Sequence, residues 1–565
     1  MAYFSLHAYD ADVWIRRFGG LSQADISLNP NFDNAAEAEN VETPNGVLQP
    51  MASCPLSIGD FTGRVETLAS FHRRWYTGSG SKNWYVCCSS GKFYFRQEGA
   101  LGDWIEIDLP SGVSAFTNSV WSWVTYEINP ENSTDTVDVL LMSNADEGMI
   151  MIIPPDRPST WGDWTAQTWG YLQDMTWMRV NTNAWHILRV DTENYKFGVI
   201  ERYGERIWGG DVAGNPDMLV YSRPYDPTDW TPPGSDEQPE DGAGSIQQPS
   251  WDGDKFYALK RFGDQLLAFK KHRIWRVVGL SPGEYAFQEQ FGGGTEYFNT
   301  IAVDNERVLM CTADGLNVYD GMSTNPYARK NVELIWKTIN RGAMDQACAT
   351  LFKNRYYLAF PTGDSEVNNA MLVYNFDENT ILYYSDFYIE ALMPTDEILY
   401  ATSSTAPGKI LQINYDSWTV GKASGEKTRW VSPWVDFGHK GIVKGGFDFY
   451  FTPEVQDEKV MLTISVQTEK KTKYKHYIVY PLNVVNPDPF TWEFVSKKTW
   501  EEIAIDTWGT YAGKTDVVTR HFKQKKLHFS GTGRRFRVII ETAQGVTAPW
   551  RLIGGIQMVV ETDPD

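Results

Sequence analysis

Short runs of alternating apolar and polar residues, separated by tight turns, recur along most of the chain. One unit joins runs at 255–262, 265–271 and 274–278, and the pair Gly263-Asp264 separates the first two. Alternation with a period of two predicts strands, and a Gly-Asp pair between two such runs predicts a hairpin. Three hairpin-linked strands of this length form the meander of a propeller blade.

The same unit returns along the chain with different residues. Further examples lie at 83–109, 176–201, 301–319 and 349–384. The units recur about every 40–55 residues, a spacing typical of propeller blades. We therefore predict about seven blades, within a range of six to eight, between Phe61 and Trp418. Only 331–341 and 345–351 are expected to hold a turn or two of helix, because no sustained 3.6-residue stripe is present.

After Ser417 the alternating runs become longer. They lie at 430–437, 445–452, 460–468, 474–480 and 535–542. Long strands with this period predict a separate antiparallel sandwich. The predicted fold is all-β, with an N-terminal extended arm and first strands at 1–60, a β-propeller at 61–420 and a C-terminal β-sandwich at 421–565.

The segment 226–254 interrupts this rhythm. It contains eight acidic residues, no basic residue and several Pro and Gly. A polar stretch this long within a compact domain is either functional or poorly ordered. We interpret it as an acidic loop insertion that projects from one face of a blade and contacts a neighbouring subunit or a partner ring; a solvated disordered loop is the alternative. It separates the strand Met218–Ser222 from a partner strand expected at Lys255.

Composition and charge argue against some classes of function. Aromatic residues make up 14% of the 565 residues, which favours β structure. The net charge is −21, and an acidic surface repels phosphate, so sequence-specific DNA binding is not expected. The negative charge is explained either by ordinary solubility or by a channel lining past which DNA moves without binding. No apolar run reaches 18 residues and the N-terminus lacks a secretory pattern, so we expect no membrane span and folding in a cytosol.

Two basic runs in the predicted sandwich, 470–475 and 521–526, have two possible roles. Lysine on an edge strand blocks pairing with another chain, so solvated strand edges are one interpretation. Docking against an acidic partner is the other.

We predict no catalytic, cofactor-binding or metal-binding residue. The five cysteines are odd in number and lack paired Cys-x-x-Cys spacing, so we expect buried free thiols; they are Cys54, Cys87, Cys88, Cys311 and Cys348. Neither Gly-x-Ser-x-Gly nor His-Glu-x-x-His occurs. Gly509–Thr515 resembles a phosphate loop, but three residues separate its glycines where four are needed.

Other conspicuous residues have structural explanations. Gly292–Gly294 predicts a turn or a close backbone approach, and Asp314-Gly315 and Asp320-Gly321 predict hairpin turns rather than calcium loops. The aromatic clusters at 161–169 and 75–85 are expected to pack within the fold rather than stack on sugars.

Several stretches also occur in an order known from one protein family. They are Phe18–Ser22, Asn45–Pro50, Met218–Trp230, Arg261–Gly279, Val303–Gly321, Arg355–Asn375 and Trp430–Gly438. This order resembles the propeller-type tail and neck proteins of tailed bacteriophages, which are called head-to-tail stabilisation or nozzle proteins. Met51–Ser57 departs from the family's usual Arg-x-Gly ending.

The resemblance implies a structural protein of the virion that is synthesised in the host cytoplasm. It implies a homo-oligomeric ring, typically of six copies, at the head–tail junction or tail nozzle. Such a ring contacts an adaptor or portal ring and other tail proteins, lines the DNA ejection path and has no membrane partner. It has no cofactor and no catalytic residue. The alternatives are a tail-tip receptor-binding protein and a propeller-based polysaccharide hydrolase.

Overall fold

The computed structural model of the chain describes residues 9–23, 33–57, 59, 61–73, 82–98, 104–109, 112–128, 137–153, 186–192, 195–248, 253–279, 281–413, 416–438, 443–479 and 524–562. The chain divides into two compact units. The propeller unit comprises Cys54–Asn379 and Tyr384–Ile413, and the sandwich unit comprises Met1–Ser53, Thr380–Tyr383 and Asn414–Asp565. The predictions at 75–76, 161–169, 176–180, 509–515 and 521–523 lie outside the described residues.

The N-terminal strands belong to the two units in turn. The sandwich unit contains β1 (Tyr9–Ile15), β2 (Glu37–Glu39), β3 (Val41–Glu42) and β4 (Gln49–Pro50), and the propeller unit begins with β5 (Leu56–Ser57). The segment predicted as an extended arm with first strands therefore supplies strands to the sandwich unit.

Among the described residues, strands β5 to β32 form seven four-stranded antiparallel sheets. Blade 1 is β6 (Val65–Arg73), β7 (Lys82–Ser89), β8 (Lys92–Gln97) and β9 (Ile105–Glu106). Blade 2 is β10 (Ser122–Ile128), β11 (Val137–Asn144), β12 (Gly148–Ile153) and β13 (His186–Arg189). Blade 3 is β14 (Phe197–Tyr203), β15 (Arg206–Val212), β16 (Met218–Tyr221) and β17 (Gly244–Gln247). Blade 4 is β18 (Ala258–Phe262), β19 (Gln265–Phe269), β20 (Ile274–Val278) and β21 (Ala286–Glu289).

The remaining blades follow the same plan. Blade 5 is β22 (Ala302–Val303), β23 (Val308–Thr312), β24 (Gly315–Tyr319) and β25 (Thr324–Pro326). Blade 6 is β26 (Cys348–Phe352), β27 (Arg355–Phe360), β28 (Ala370–Asn375) and β29 (Thr380–Ser385). Blade 7 is β30 (Ala391–Pro394), β31 (Leu399–Thr402) and β32 (Ile410–Ile413), completed by β5.

The blades close into a circle. The first strand of every blade contacts the first strand of the next, and β30 of blade 7 contacts β6 of blade 1. The outer strand of blade 7 is β5, which pairs through Leu56 with Leu411 and through Ser57 with Ile410. The start of the propeller segment thus completes its last sheet. The predicted propeller of about seven blades is confirmed.

Apolar side chains fill the spaces between blades. Phe71, Phe93 and Ile150 share a cluster between blades 1 and 2. Val65, Cys87 and Met393 share a cluster between blades 1 and 7. Cys88 lies in the first cluster, so the adjacent cysteines point to opposite faces of β7. Cys311 and Cys348 are also buried free thiols, whereas the predicted burial of Cys54 was wrong, since this residue is only partly buried.

The acidic insertion differs from its prediction. The strand Met218–Tyr221 pairs with Gly244–Gln247, which lies inside the insertion, and not with residues at Lys255. The prediction of that partner was wrong because Gly244–Gln247 is a polar, partly exposed strand that has no apolar run to mark it. Trp230, near the start of the insertion, is buried against Phe197 with ring centroids 5.0 Å apart.

The sandwich unit contains seven further strands besides β1 to β4. They are β33 (Thr428–Val431), β34 (Lys444–Val455), β35 (Val460–Thr468), β36 (Thr472–Val479), β37 (Lys525–Gly533), β38 (Phe536–Thr542) and β39 (Trp550–Thr562). One sheet has the order β1-β39-β34-β37 and the other β2-β33-β38-β35-β36. Phe447, in the first sheet, stacks on Phe536, in the second, with ring centroids 5.5 Å apart, so the sheets share an aromatic core. The predicted sandwich is confirmed.

Helices in the described residues are short. They are α1 (Glu333–Trp336), α2 (Ser417–Val420) and 3₁₀ turns at Pro44–Gly46, Pro239–Asp241, Phe298–Thr300, Arg329–Val332 and Arg341–Gln346. Among the described residues, no helix has the length and apolar character needed to cross a membrane.

Candidate functional site

A pocket lies at one end of the propeller axis. Its volume is about 60 Å³, and its polar lining residues are Arg64, Glu66, Asn299, Asp345, Gln346, Asn368 and Glu390. Most of these residues come directly before, or at the start of, the first strand of a blade, and Asn368 comes before the third strand of blade 6. First and third strands of an antiparallel sheet begin at the same edge, so these segments meet at one end of the circle. We name this feature the axial pocket.

An ion pair across the junction of blades 7 and 1 forms one wall of the axial pocket. The Arg64 guanidinium donates to Oε1 of Glu390, whose side chain is only 7% exposed. The other carboxylate oxygen, Oε2, is buried and has no hydrogen-bond partner among the described residues. Burial raises the pKa of Glu390, and the hydrogen bond from Arg64 offsets only part of that rise.

A second buried acceptor faces the axial pocket from blade 6. Asn368 is 2% exposed, and its Nδ2 donates to the carbonyl oxygens of Gln346 and Ile389 at 2.7 and 2.8 Å. Because both partners of Nδ2 are acceptors, the amide cannot flip without losing two hydrogen bonds. Its Oδ1 is therefore fixed as an acceptor, and no described residue donates to it.

The axial pocket is thus arranged to accept hydrogen bonds and positive charge. Three carboxylates, those of Glu66, Asp345 and Glu390, line it together with one guanidinium, that of Arg64. Buried acceptors without partners are unfavourable by about 1–3 kcal/mol each, so a group that donates to them gains that free energy on binding. Within the described residues, no group of three or more His, Cys, Asp and Glu side chains could hold a metal ion.

The sandwich unit has a larger cleft of opposite character. Its volume is about 270 Å³, and its lining includes Lys470, Lys471, Lys473, Phe447, Phe529 and Phe536. The cleft opens between β36 and β37, which are edge strands of the two sheets. The Nζ of Lys473 donates to Oγ of Ser530 at 3.1 Å and so links these edges. We name this feature the basic cleft.

The lysines of the basic cleft are held in place by a hairpin. Thr468 ends β35, and its Oγ1 accepts hydrogen bonds from the backbone N–H groups of Lys470 and Lys471. This arrangement fixes the turn that places both lysines beside Lys473. Within the described residues these three lysines form no ion pair with a carboxylate, whereas Lys526 nearby on β37 pairs with Asp448 at 2.7 Å.

The insertion presents acidic side chains on a firmly anchored backbone. Arg206 is 3% exposed, and its guanidinium donates to the carbonyl oxygens of Ser222, Gly242 and Glu240. The carboxylates that this backbone exposes are Asp236, Glu237, Glu240 and Asp241, which we name the acidic tip. Arg223 pairs with Glu237 at 2.9 Å, and the other three form no ion pair in the part of the chain described.

Buried thiols offer little nucleophilic chemistry in the propeller unit. Burial raises the pKa of Cys88 and Cys348 to about 12, so both stay protonated near neutral pH. A thiolate rather than a thiol is the nucleophile, so neither residue is activated for attack.

Comparisons with known proteins find similarity in folds only. No protein-family model and no curated protein matches the sequence. The WD40 domain of Neurospora crassa Pan2 matches 63% of this chain and 90% of its own at 10% identity, with a TM-score of 0.33. BBS1N in complex with ARL6DN matches 64% of this chain and 98% of its own at 9% identity, with a TM-score of 0.36. Dihydro-heme d1 dehydrogenase NirN in complex with DHE matches 62% and 68% at 11% identity, with a TM-score of 0.32.

These scores are too low to carry an argument about function. The fold follows from the strand order and the closed circle of first strands. The resemblance to phage neck and nozzle proteins stays a prediction.

The structure explains most conspicuous sequence features as parts of the fold. Gly294 lies where an added Cβ would be 2.0 Å from the Lys270 carbonyl oxygen, which confirms the expected close backbone approach. Asp314-Gly315 connects β23 to β24, and the Asp320 carboxylate accepts from the backbone N–H groups of Met322 and Ser323. Both are turns, as predicted.

The residues of the axial pocket were not predicted from the sequence. They are distributed from Arg64 to Glu390, and their neighbours in sequence share no spacing. The basic run 470–475 did signal the basic cleft, since docking on an acidic partner was one of its two interpretations.

Proposed function

We propose that this chain is a structural protein of a bacteriophage virion that assembles into a homo-oligomeric ring at the head–tail junction or tail nozzle. The observation that carries the proposal is the separation of charge between the two units. Residues 54–413 contain 28 Lys and Arg against 47 Asp and Glu, so the propeller segment accounts for 19 of the 21 net negative charges. The rest of the chain is nearly neutral and carries the basic cleft.

Two unlike, complementary surfaces on one chain suit head-to-tail assembly. A contact between the acidic tip of one copy and the basic cleft of the next is heterologous, and such contacts close into a ring when the rotation permits. The acidic tip is held by Arg206 and Trp230, so little loop ordering opposes binding. An acidic propeller would also repel the phosphates of DNA in transit.

The first experiment is a measurement of oligomeric state. Light scattering and negative-stain images of the purified chain at micromolar concentration are expected to show rings of several copies. Mass spectrometry of purified virions is expected to detect the chain. A strictly monomeric chain that is also absent from virions would contradict the proposal.

A charge exchange tests the proposed contact itself. Replacing Lys470, Lys471 and Lys473 by Glu is expected to abolish rings, because it places like charges opposite each other. Replacing Asp236, Glu240 and Asp241 by Lys is expected to do the same. A mixture of the two variants, in which the charges are again complementary, is expected to associate. The matched control replaces three exposed lysines outside the cleft, Lys330, Lys337 and Lys459, by Glu and should leave assembly unchanged.

A tail-tip receptor-binding role is the second candidate, and one observation favours it. The β35–β36 edge of the sandwich exposes Met461, Tyr474 and Ile478 by 45%, 66% and 42%. Exposed apolar side chains beside one another mark binding surfaces. Binding of the purified chain to host cells, lost when these three residues are replaced by Ser, would favour this role over the ring.

A further inference from the structure

We propose that the axial pocket binds a guanidinium group, such as an arginine side chain presented by a partner chain. This inference does not depend on the ring, because every residue that carries it belongs to the propeller unit of one copy. It follows from two buried acceptors without partners and from the charge of the residues around them.

The two acceptors are pre-oriented. Oε1 of Glu390 is held by Arg64, and Nδ2 of Asn368 is held by two carbonyl oxygens. The neighbouring oxygens, Oε2 of Glu390 and Oδ1 of Asn368, receive no hydrogen bond from the part of the chain that the structure describes. A ligand that supplies N–H donors to these two oxygens gains two hydrogen bonds that the described residues do not make.

The size and charge of the axial pocket select the ligand. A cavity of about 60 Å³ admits the planar head of one guanidinium and is too small for a sugar or a nucleotide. Glu66, Asp345 and Glu390 together outweigh the charge of Arg64. A guanidinium offers several N–H donors in a fixed plane, so one group can bond to two acceptors at once. A divalent cation lacks a matching cluster of carboxylates in the described residues.

Calorimetric titration of the full chain with methylguanidinium chloride tests the inference. Saturable binding is expected, with none for tetramethylammonium, which carries the same charge and has no N–H donor. Calcium chloride is a third arm. No saturable response to methylguanidinium would overturn the inference, because the two acceptors would then need no donor other than solvent. A response to calcium alone would overturn it as well, because the pocket would then be a site for a metal cation.

The source of the group is distinguished with capped tripeptides. Binding of a Gly-Arg-Gly peptide would assign the guanidinium to a partner's side chain. Binding of methylguanidinium without the peptide would assign it to a free cation, and either result supports recognition of a guanidinium. A Gly-Lys-Gly peptide is expected to bind less tightly, because its compact ammonium bridges the two oxygens less well.

Variants connect the binding to the pocket. Glu390→Gln keeps the shape and removes the charge, and is expected to weaken binding about tenfold or more, as for one lost charge-assisted hydrogen bond. Glu397→Gln is the matched control, since Glu397 is 86% exposed outside the pocket. Asp345→Asn changes an exposed lining residue, so it tests the charge of the pocket if Glu390→Gln fails to fold. Affinity unchanged in both pocket variants would overturn the inference.

Discussion

The sheets of the propeller and the sandwich are both antiparallel, yet the two units differ in how their strand edges are protected and in where their charged residues lie. The circle of first strands closes on itself, and a strand of two residues, β5, completes the last blade. The sandwich leaves β36 and β37 as edges and covers them with lysine. Radial repetition of blades leaves only short, protected edges, whereas the long edges of an open sheet need charged residues to limit pairing. The comparison indicates that the lysines clustered on β36 and β37 lie where pairing with another chain has to be limited or directed.

Buried charge shows the same contrast. Lys270 of blade 4 is 1% exposed, and its Nζ donates to Oδ1 of Asp217 at 2.9 Å and to the carbonyl oxygen of Asp254 at 2.8 Å. It therefore links blade 4 to the segments before β16 and β18. The lysines of the basic cleft, by comparison, remain at the surface of the sandwich.

The largest expected effect comes from breaking that buried link. Lys270→Met leaves the Asp217 carboxylate without its cation and is expected to lower the free energy of unfolding by about 3–5 kcal/mol. Lys255→Met, which removes a partly exposed pair with Asp211, is the control and is expected to change the free energy of unfolding by about 0–1 kcal/mol. Urea denaturation of both variants measures the difference. Equal losses would mean that burial does not distinguish the two pairs.

A smaller effect is expected from a buried hydroxyl between blades. The hydroxyl of Tyr356 in blade 6 donates to the carbonyl oxygen of Thr300 at 2.6 Å, before blade 5. Tyr356→Phe is expected to lower the free energy of unfolding by about 1–2 kcal/mol, because the buried carbonyl loses its donor. Tyr474→Phe, on the exposed edge of the sandwich, is expected to change it by less than about 0.5 kcal/mol. Thermal denaturation measures the shift in melting temperature of both variants. Equal shifts would contradict the expected difference between the buried and the exposed hydroxyl.

The axial pocket gives a dependence on pH. Burial raises the pKa of Glu390 above its unfolded value despite Arg64, while Glu66 adds to the rise. The folded chain then binds this proton more tightly than the unfolded chain, so its contribution to stability is present at low pH. That contribution is lost as pH rises from the usual carboxyl pKa through the raised pKa. Denaturation at a series of pH values should show this decrease in the wild type and a flatter curve in Glu390→Gln; identical curves would refute the assignment.

The smallest effect on stability, and the sharpest test of the edges, concerns the lysines of β36. Lys473→Val with Lys475→Val is expected to change the free energy of unfolding by less than about 0.5 kcal/mol, because both side chains are exposed. Aggregation measured by light scattering is expected to increase, because an apolar edge invites pairing. The control replaces the exposed loop lysines Lys422 and Lys459 by Val and should aggregate no faster.

The sequence pattern predicted those strands and turns that are marked by alternating apolar residues or by turn residues. The hairpin at Gly263-Asp264 and the meander around it are present as expected, because alternation and turn residues act within a few positions of each other. The change to longer strands after Ser417 likewise predicted the sandwich. The strand Gly244–Gln247 was missed because it is polar, and β5 because two residues show no period.

By itself the amino-acid sequence determined the class of fold, the approximate number of blades and the location of the acidic and basic segments, since each depends on local periodicity or composition. Tertiary structure alone decided which strand completes blade 7, that Lys270 is buried, and that Glu390 and Asn368 face one pocket. Residues from five blades line that pocket. These residues are far apart in the sequence and come together only because the blades close into a circle. Whether a buried oxygen has a hydrogen-bond donor depends on which residues surround it in the folded chain, and the sequence pattern does not show this.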